Sequence, residues 1–398
     1  MKIFKNTEAA KLVSVSHVTI GKWIEQALEG GNTLQLIETK NGQRIIDNEH
    51  NRAELERLAE HGKNYRATTE LSRVVPSDYF YNTYTKAEIV EIINSLETFS
   101  EIPHKFVYKG DGAKFWDWYY THTVPEGKYS NPTKVSRLLG SSIAQINFLT
   151  EKQQSLNIVE IGPGNALPTK DFIAELIKQN RIKRYIAVDI SQEMVEITKK
   201  NIQEWFPSLP FVGLVGDVET FDLQTLLFEY SDTFTSNVIL YLGSTIGIHQ
   251  NRQKVLANVS SGLGYSDLFI FSNTLDGPKT RTTSDYAKSP DAVPQNTRIS
   301  KNLGIETEQC NFKMYFDAES CGKFLALELN KDYQITFQVG ERQKQLHLLK
   351  NSEVIVWRLH MTRLDTLNAE LTETGMQQLS LLTDRDKTHC LVISGKLK

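Results

Sequence analysis

The stretch that most constrains the fold begins at Asn157. Ile158-Val159-Glu160-Ile161 is an apolar run of strand length that leads straight into Gly162-Pro163-Gly164-Asn165-Ala166. A helix is predicted from about Thr169 to Lys178. Strand, glycine turn and helix in this order form a nucleotide-binding βα unit. Glycine is needed in the turn because a side chain would keep a ligand off the backbone. The next apolar run, Arg184–Val188, ends in Asp189, 27 positions after Gly162. A carboxylate at the end of a second strand accepts both hydroxyls of a ribose. Ser191-Gln192-Glu193-Met194 opens another helix. Phe211–Val215 is a third strand ending in Gly216-Asp217, where an acid can accept from an adenine amino group. Three successive strand ends thus carry glycine or acid at the edge where doubly wound sheets bind ligands. The alternative is an α/β domain with an idle sheet edge.

Composition excludes several other classes. The chain has 398 residues and a net charge of −3, so it is no polyanion-coating protein. Its 18 Phe, 15 Tyr and 5 Trp supply a core that a disordered chain would lack. Three cysteines, Cys310, Cys321 and Cys390, are too few for a disulfide scaffold and lack metal-ligand spacing. The histidines form no H-x-x-x-H pair, and no metal is expected. No run reaches the roughly 18 apolar residues that span a bilayer, and the N-terminus lacks the apolar core of a signal peptide. A cytoplasmic protein without a membrane partner is expected, its oligomeric state left open.

Residues 1–67 read as a separate module. Thr7 can cap a first helix, and Ser16 a second from His17 to about Leu28, with Ile20, Trp23, Ile24 and Ala27 on one face. Thr33–Thr39 and Gln43–Asp47 flank Lys40-Asn41-Gly42, a hairpin pattern. A last helix is expected from Glu49 to about Glu60. These pieces resemble the winged helix-turn-helix heads of the MerR and phage-excisionase kind. The likeness rests on TEAAKLVSVSHVTIGKWI and the wing KNGQRIID. It implies that Ser16, His17, Thr19 and Lys22 face DNA, with Lys40 and Arg44 on the wing. The module holds ten Lys+Arg against nine Asp+Glu, a net of +1, which favours reuse of the module for protein contact or dimerisation over DNA binding. Residues 68–99 read as a linker containing a helix from Lys86 to Leu96.

The G-x-G turn, the acid after strand two and the Gly-Asp after strand three resemble class I S-adenosylmethionine-dependent methyltransferases. A more specific likeness joins Val188–Ser191, Gly216-Asp217, Phe106–Tyr119 (FVYKGDGAKFWDWY) and Gly243-Ser244-Thr245-Ile246-Gly247. Together they resemble the histidine Nα-methyltransferase family of ergothioneine biosynthesis, over roughly residues 100–398. The resemblance implies an α/β fold: a Rossmann-like doubly wound sheet from residues 130–275 and 362–398, with an α+β substrate domain from 100–129 and 276–361. It implies S-adenosylmethionine as cofactor and S-adenosylhomocysteine as product. The residues expected at the cofactor are Glu160, Gly162, Gly164, Lys170, Asp189, Ser191, Asp217, Tyr241, Gly243 and Ser244. Tyr108 and Tyr129 match substrate-side tyrosines of the family and, with His360, are the expected catalytic groups.

Three departures shape the expected substrate. The glycine loop is longer than the family's, which makes Lys170 an inexact equivalent. The family's asparagine after GSTIG is replaced by Ile248, followed by His249. The family's E-x-S pair is replaced by Arg358 and His360. An arginine suits a carboxylate or phosphate rather than a protonatable ring. The expected reaction is therefore N-methylation of a small amino-acid-like molecule other than free histidine, with Ile248, His249, Arg358 and His360 on the substrate side. Two other readings remain: a DNA-binding regulator with a ligand-sensing methyltransferase-like part, and a methyltransferase acting on a macromolecule docked by the head.

Overall fold

The apolar runs at residues 158, 184, 211, 237 and 268 become neighbouring parallel strands in the computed structural model. It describes residues 2–28, 32–40, 42–68, 71–127, 130–282, 289–290 and 292–398, with backbone alone for 60–68. Among the described residues, seven strands form one sheet. They are β1 (Ser155–Ile161), β2 (Ile182–Asp189), β3 (Phe211–Val215), β4 (Thr235–Tyr241), β5 (Leu268–Thr274), β6 (Met376–Thr383) and β7 (His389–Lys396). Their order is β3-β2-β1-β4-β5-β7-β6. The first five run parallel, and β7 is antiparallel to both β5 and β6. Strands β4 and β5 are buried throughout, which accounts for their apolar runs Val238–Tyr241 and Leu268–Phe271. The strand order reverses between β1 and β4, and such a reversal leaves a crevice at the strands' C-terminal ends.

Three of the helices that follow the strands begin where a side chain satisfies a first free N–H group. Ser191 caps Gln192–Trp205, Asp222 caps Leu223–Tyr230, and Asn251 caps Arg252–Gly262. Two apolar clusters fill the faces of the sheet, one around Ile239, Phe269 and Val392, the other around Ile158, Tyr185 and Leu391. Strand β6 is mostly half-buried and closes one edge of the sheet. Its Gln377-Gln378 start hides the strand period in the sequence.

A second core lies outside the sheet. Asn311–Asp317, Gly322–Glu328 and Glu353–His360 form one antiparallel sheet, and Asp332–Val339 pairs with Arg342–Leu348 in another. The helices Asp78–Thr83 and Lys86–Phe99 pack into the same cluster through Phe80, Ile89, Ile92, Ile93 and Leu96. This corrects the expectation of a linker at 68–99. The apolar face of Lys86–Phe99 is buried against Leu325, Tyr333 and Phe337 rather than bridging two domains.

The chain divides into two units, residues 1–71 and 72–398. The first has helices Asn6–Leu12, His17–Leu28 and Glu49–Thr68 and a hairpin of Leu36–Thr39 with Gly42–Ile45. The first helix starts before Thr7, which lies in its opening turn. The hairpin is shorter than expected because side chains claim its start: Glu54 accepts from Thr33 N at 3.0 Å and Asn51 from Gln35 N at 2.7 Å. The last helix runs past Glu60 to Thr68.

The turn after β4 meets strand Glu353–His360 without space for a side chain. A Cβ on Gly247 would lie 2.6 Å from the His360 carbonyl oxygen and 2.7 Å from Leu359 Cδ1. Gly247→Ala is therefore expected to lower stability by about 1–3 kcal/mol through overpacking. Urea unfolding checks this, and an unchanged midpoint would refute the close packing.

Candidate active site

The C-terminal ends of β1 to β4 open onto a cleft of about 620 Å³. Its floor is the glycine turn. Gly162 and Gly164 have φ of +59° and +60°, a region open to glycine at little cost. A Cβ on Gly162 would lie 3.6 Å from both Thr245 Cγ2 and Tyr241 Cε2, and one on Gly164 would lie 3.5 Å from Trp116 Nε1. Side chains there would fill the cradle.

Asp189 ends β2 inside this cleft and is buried. Its carboxylate accepts from Ser191 N at 3.0 Å. Burial nonetheless dominates and pushes its carboxyl up to about 7. Ser191 supports that carboxylate rather than lining the cleft, since its hydroxyl caps the next helix and donates to Glu193 at 2.7 Å. Asp217, beyond β3, also lines the cleft, and Lys105 Nζ donates to it at 2.6 Å. The same ammonium reaches Glu91 at 2.6 Å and Glu219 at 3.5 Å. Among the described residues, those three acids are the one group spaced to hold a cation, and Lys105 stands among them.

Two tyrosines face the cleft, each bonded to a histidine. Tyr241, the last residue of β4, bonds His249 Nε2 at 2.5 Å, and His249 Nδ1 bonds Glu219 at 2.7 Å. Burial opposes the Glu219 charge, but the His249 bond together with Lys105 and Lys254 outweighs it and holds the carboxyl at about 2. Tyr108 bonds His104 Nε2 at 3.2 Å, and His104 Nδ1–H donates to the Val356 carbonyl at 3.3 Å. Burial drives His104 down to about 4, so its ring is neutral at pH 7.

Of the residues expected from sequence, the cleft brings together Gly162, Gly164, Asp189, Asp217, Tyr241, Tyr108, Ile248 and His249. Glu160 and Gly243 line an adjoining recess with Trp116 and Asn131. Burial pushes the Glu160 carboxyl up to about 7, against a hydrogen bond from Tyr185. Ser244 has φ +64° and bonds Thr274 at 3.1 Å. Lys170 points elsewhere, its ammonium 4.5 Å from the Trp205 ring centre.

Arg358 and His360 are not brought to this cleft. The Arg358 guanidinium is paired with buried Glu101 and also donates to His360 at 3.0 Å. Sequence leaves both an anion anchor and an ordinary ion pair open for Arg358, and Glu101 makes it the ion pair. His360 lines a different surface cleft with Ser320 and Arg363. Tyr129 lies outside the described residues.

In the head, His17, Lys22 and Lys40 are exposed and Arg44 is half-buried. Ser16 and Thr19 bond each other at 2.8 Å, while Ser16 also caps the helix. Lys105, Trp116 and Glu219 are site residues that sequence reasoning passed over. Glu219 could have been noticed as a second acid two positions beyond Asp217, and Trp116 lies inside the quoted aromatic segment.

The family model described as histidine-specific methyltransferase, SAM-dependent, matches residues 87–395. The chain belongs to this family. It is an S-adenosylmethionine-dependent methyltransferase with the class I Rossmann-like sheet. No curated protein matches the chain. Among solved structures, this methyltransferase is similar to an S-adenosylmethionine-dependent methyltransferase from Clostridium acetobutylicum, at 12% identity and TM-score 0.41, over 73% of this chain and 100% of that one. It is also similar to CalS10, an amino pentose methyltransferase from Micromonospora echinaspora, at 10% identity and TM-score 0.38, over 69% and 96%. A third is KedS8, a sugar N-methyltransferase from Streptoalloteichus, at 11% identity and TM-score 0.36, over 71% and 93%. Among the described residues, no helix is long and apolar enough to cross a membrane.

The residues present fit S-adenosylmethionine. The glycine cradle admits a ligand to the backbone, and buried Asp189 offers acceptors to a pair of hydroxyls. An ionised carboxylate binds such donors far better than a protonated one. With its carboxyl near 7, Asp189 takes up a proton as pH falls through neutrality. For folding of the chain by itself the sign is opposite. A buried acid with a raised pKa loses stability as pH rises from its unfolded value of 3.8 through about 7. Calorimetry is expected to show the dissociation constant of S-adenosylhomocysteine rising up to about tenfold per pH unit below 7. Asp189→Asn should bind weakly with a flat profile.

Proposed function

We propose that this methyltransferase methylates an amine nitrogen of a small amino-acid-like molecule other than free histidine. The observation that carries the proposal is the polarity of Tyr241 at the cleft. His249 Nε2 takes its phenolic proton, so the oxygen presents itself to the cleft as an acceptor. Acceptors suit an N–H donor. Ile248 offers no hydrogen bond to an amino-acid head group, and Arg358 is already occupied by Glu101. Both features argue against the histidine grip of the wider family.

When bound, S-adenosylmethionine supplies an electrophilic methyl group on a sulfonium. The chain's own residues hold it and align the acceptor. The glycine turn and Asp189 fix the nucleoside side, and Tyr108, Trp116 and Tyr241 wall the reacting side. Transfer is an in-line displacement, and alignment with exclusion of water contributes most of the rate. The lobe built from residues 72–108 and 292–361 is proposed as the substrate-holding part, since Lys105 and Tyr108 enter the cleft from it. The described residues that line the cleft all belong to the unit of residues 72–398. The head's exposed Lys22 and Lys40 support a separate docking role toward DNA or protein.

Incubation with S-adenosylmethionine carrying a labelled methyl group and a deproteinised cell extract tests the reading. The label is expected in a small amine that is not histidine. Label in free histidine, or in protein alone, would refute it.

A further inference from the structure

We infer that Tyr241, His249 and Glu219 form a proton relay that frees the acceptor's nitrogen lone pair, an inference that rests on the amine reading above. An amine arrives largely as ammonium at neutral pH, and an ammonium has no lone pair to attack with. Some group at the cleft must take a proton before transfer.

The geometry sets the direction of that movement. Glu219, ionised, can only accept, so the proton of neutral His249 sits on Nδ1 and points at the carboxylate, 2.7 Å away. Nε2 then carries the lone pair and receives the Tyr241 hydroxyl proton at 2.5 Å. Tyr241 and His249 both line the cleft, with the phenol ring against the glycine turn. In the relay step, the acceptor's N–H bond breaks and its electron pair stays on nitrogen as a new Oη–H bond forms. Tyr241's original O–H bond breaks as an Nε2–H bond forms. Ammonium becomes amine, neutral imidazole becomes imidazolium, and no charge is created.

The surroundings suit a relay better than a standing tyrosinate. Burial, then Asp217, Glu219, Asp189 and Tyr108, all hold the Tyr241 phenol in its protonated form. Lys105 lies 3.5 Å and Lys254 4.0 Å from Glu219, which keeps that carboxylate charged, while Lys105 also answers Glu91 and Asp217. A small recess of about 260 Å³, lined by Glu91 and Gln250, backs His249 and Glu219 and gives the proton a way out. The Tyr108–His104 pair lacks these features. The second nitrogen of His104 bonds a carbonyl, and burial keeps its ring neutral, so it orients Tyr108 without accepting a charge. Tyr241 and His249 are thus catalytic residues, and Glu219 is a positioning residue.

The test compares the native full chain with His249→Gln and Tyr241→Phe. Each receives S-adenosylmethionine with a tritiated methyl group and the deproteinised small-molecule fraction of a bacterial lysate, from about pH 6.5 to about pH 9.5. Loss of a general base costs about 100-fold or more. Turnover of both variants is expected to fall by about that factor at pH 7. It should recover by about tenfold or more toward pH 9.5, where solvent deprotonates the amine. Calorimetric affinity for S-adenosylhomocysteine should stay within about threefold of native. A loss equal at every pH, or native-like turnover, overturns the relay. Should one variant lose its affinity for S-adenosylhomocysteine, the other carries the same comparison. Absence of turnover by the native chain overturns the amine reading and the relay with it. Independently of turnover, nitrogen-15 NMR of the histidine-labelled chain without cofactor should show His249 protonated at Nδ1 and bare at Nε2 near pH 7.5. A proton on Nε2 overturns the relay.

Discussion

The site hangs on one buried ammonium. Lys105 sits in the short turn His104–Tyr108 and is almost wholly enclosed. Burial alone would strip its charge. The carboxylates of Asp217, Glu219 and Glu91 reverse that effect and raise its pKa instead. Glu91 comes from helix Lys86–Phe99, whereas Asp217 and Glu219 follow β3. The interaction therefore ties the outer lobe to the ligand-binding edge of the sheet. Removing Lys105 would leave the Asp217 carboxylate at the cleft without its cation, at a cost of about 3 kcal/mol.

That anchoring also organises the chemistry of the cleft. Lys105 helps to keep Glu219 ionised, Glu219 fixes the proton position on His249, and His249 orients Tyr241. Tyr108, three residues from Lys105 in the same turn, enters the same cleft from the outer lobe. Asp189 and the glycine turn belong to the sheet and need no such help, since strand register and helix capping place them. The cofactor half of the site is thus built locally. The acceptor half is built from pieces that only the tertiary structure brings together.

This division explains what could be read from sequence. Gly162, Asp189 and Asp217 were legible because each stands at the end of an apolar strand, where position and chemistry coincide. Arg358 misled because its partner, Glu101, is 257 positions away and no local pattern announces it. Lys170 follows the glycine loop as expected, but the 3₁₀ turn Leu167–Thr169 redirects it onto Trp205. Residues 68–99 looked like a connector because Ile89, Ile92, Ile93 and Leu96 have no partner nearby in the sequence; that partner is the strand layer more than 200 residues later.

The placement of β7 has a consequence for how the chain is made. This strand pairs with β5 on one side and β6 on the other, and both β6 and β7 come after the outer lobe. During synthesis the open edge of β5, from Leu268 to Thr274, must wait for His389–Lys396. At about 5–20 residues per second that wait is on the order of ten seconds. An unpaired apolar edge invites pairing with other chains. The intervening lobe has its own hydrophobic core and can condense meanwhile, so the nascent chain reaches its last strand with one half ordered and one sheet edge still exposed. Crowded synthesis, rather than the finished fold, is the moment of greatest aggregation risk.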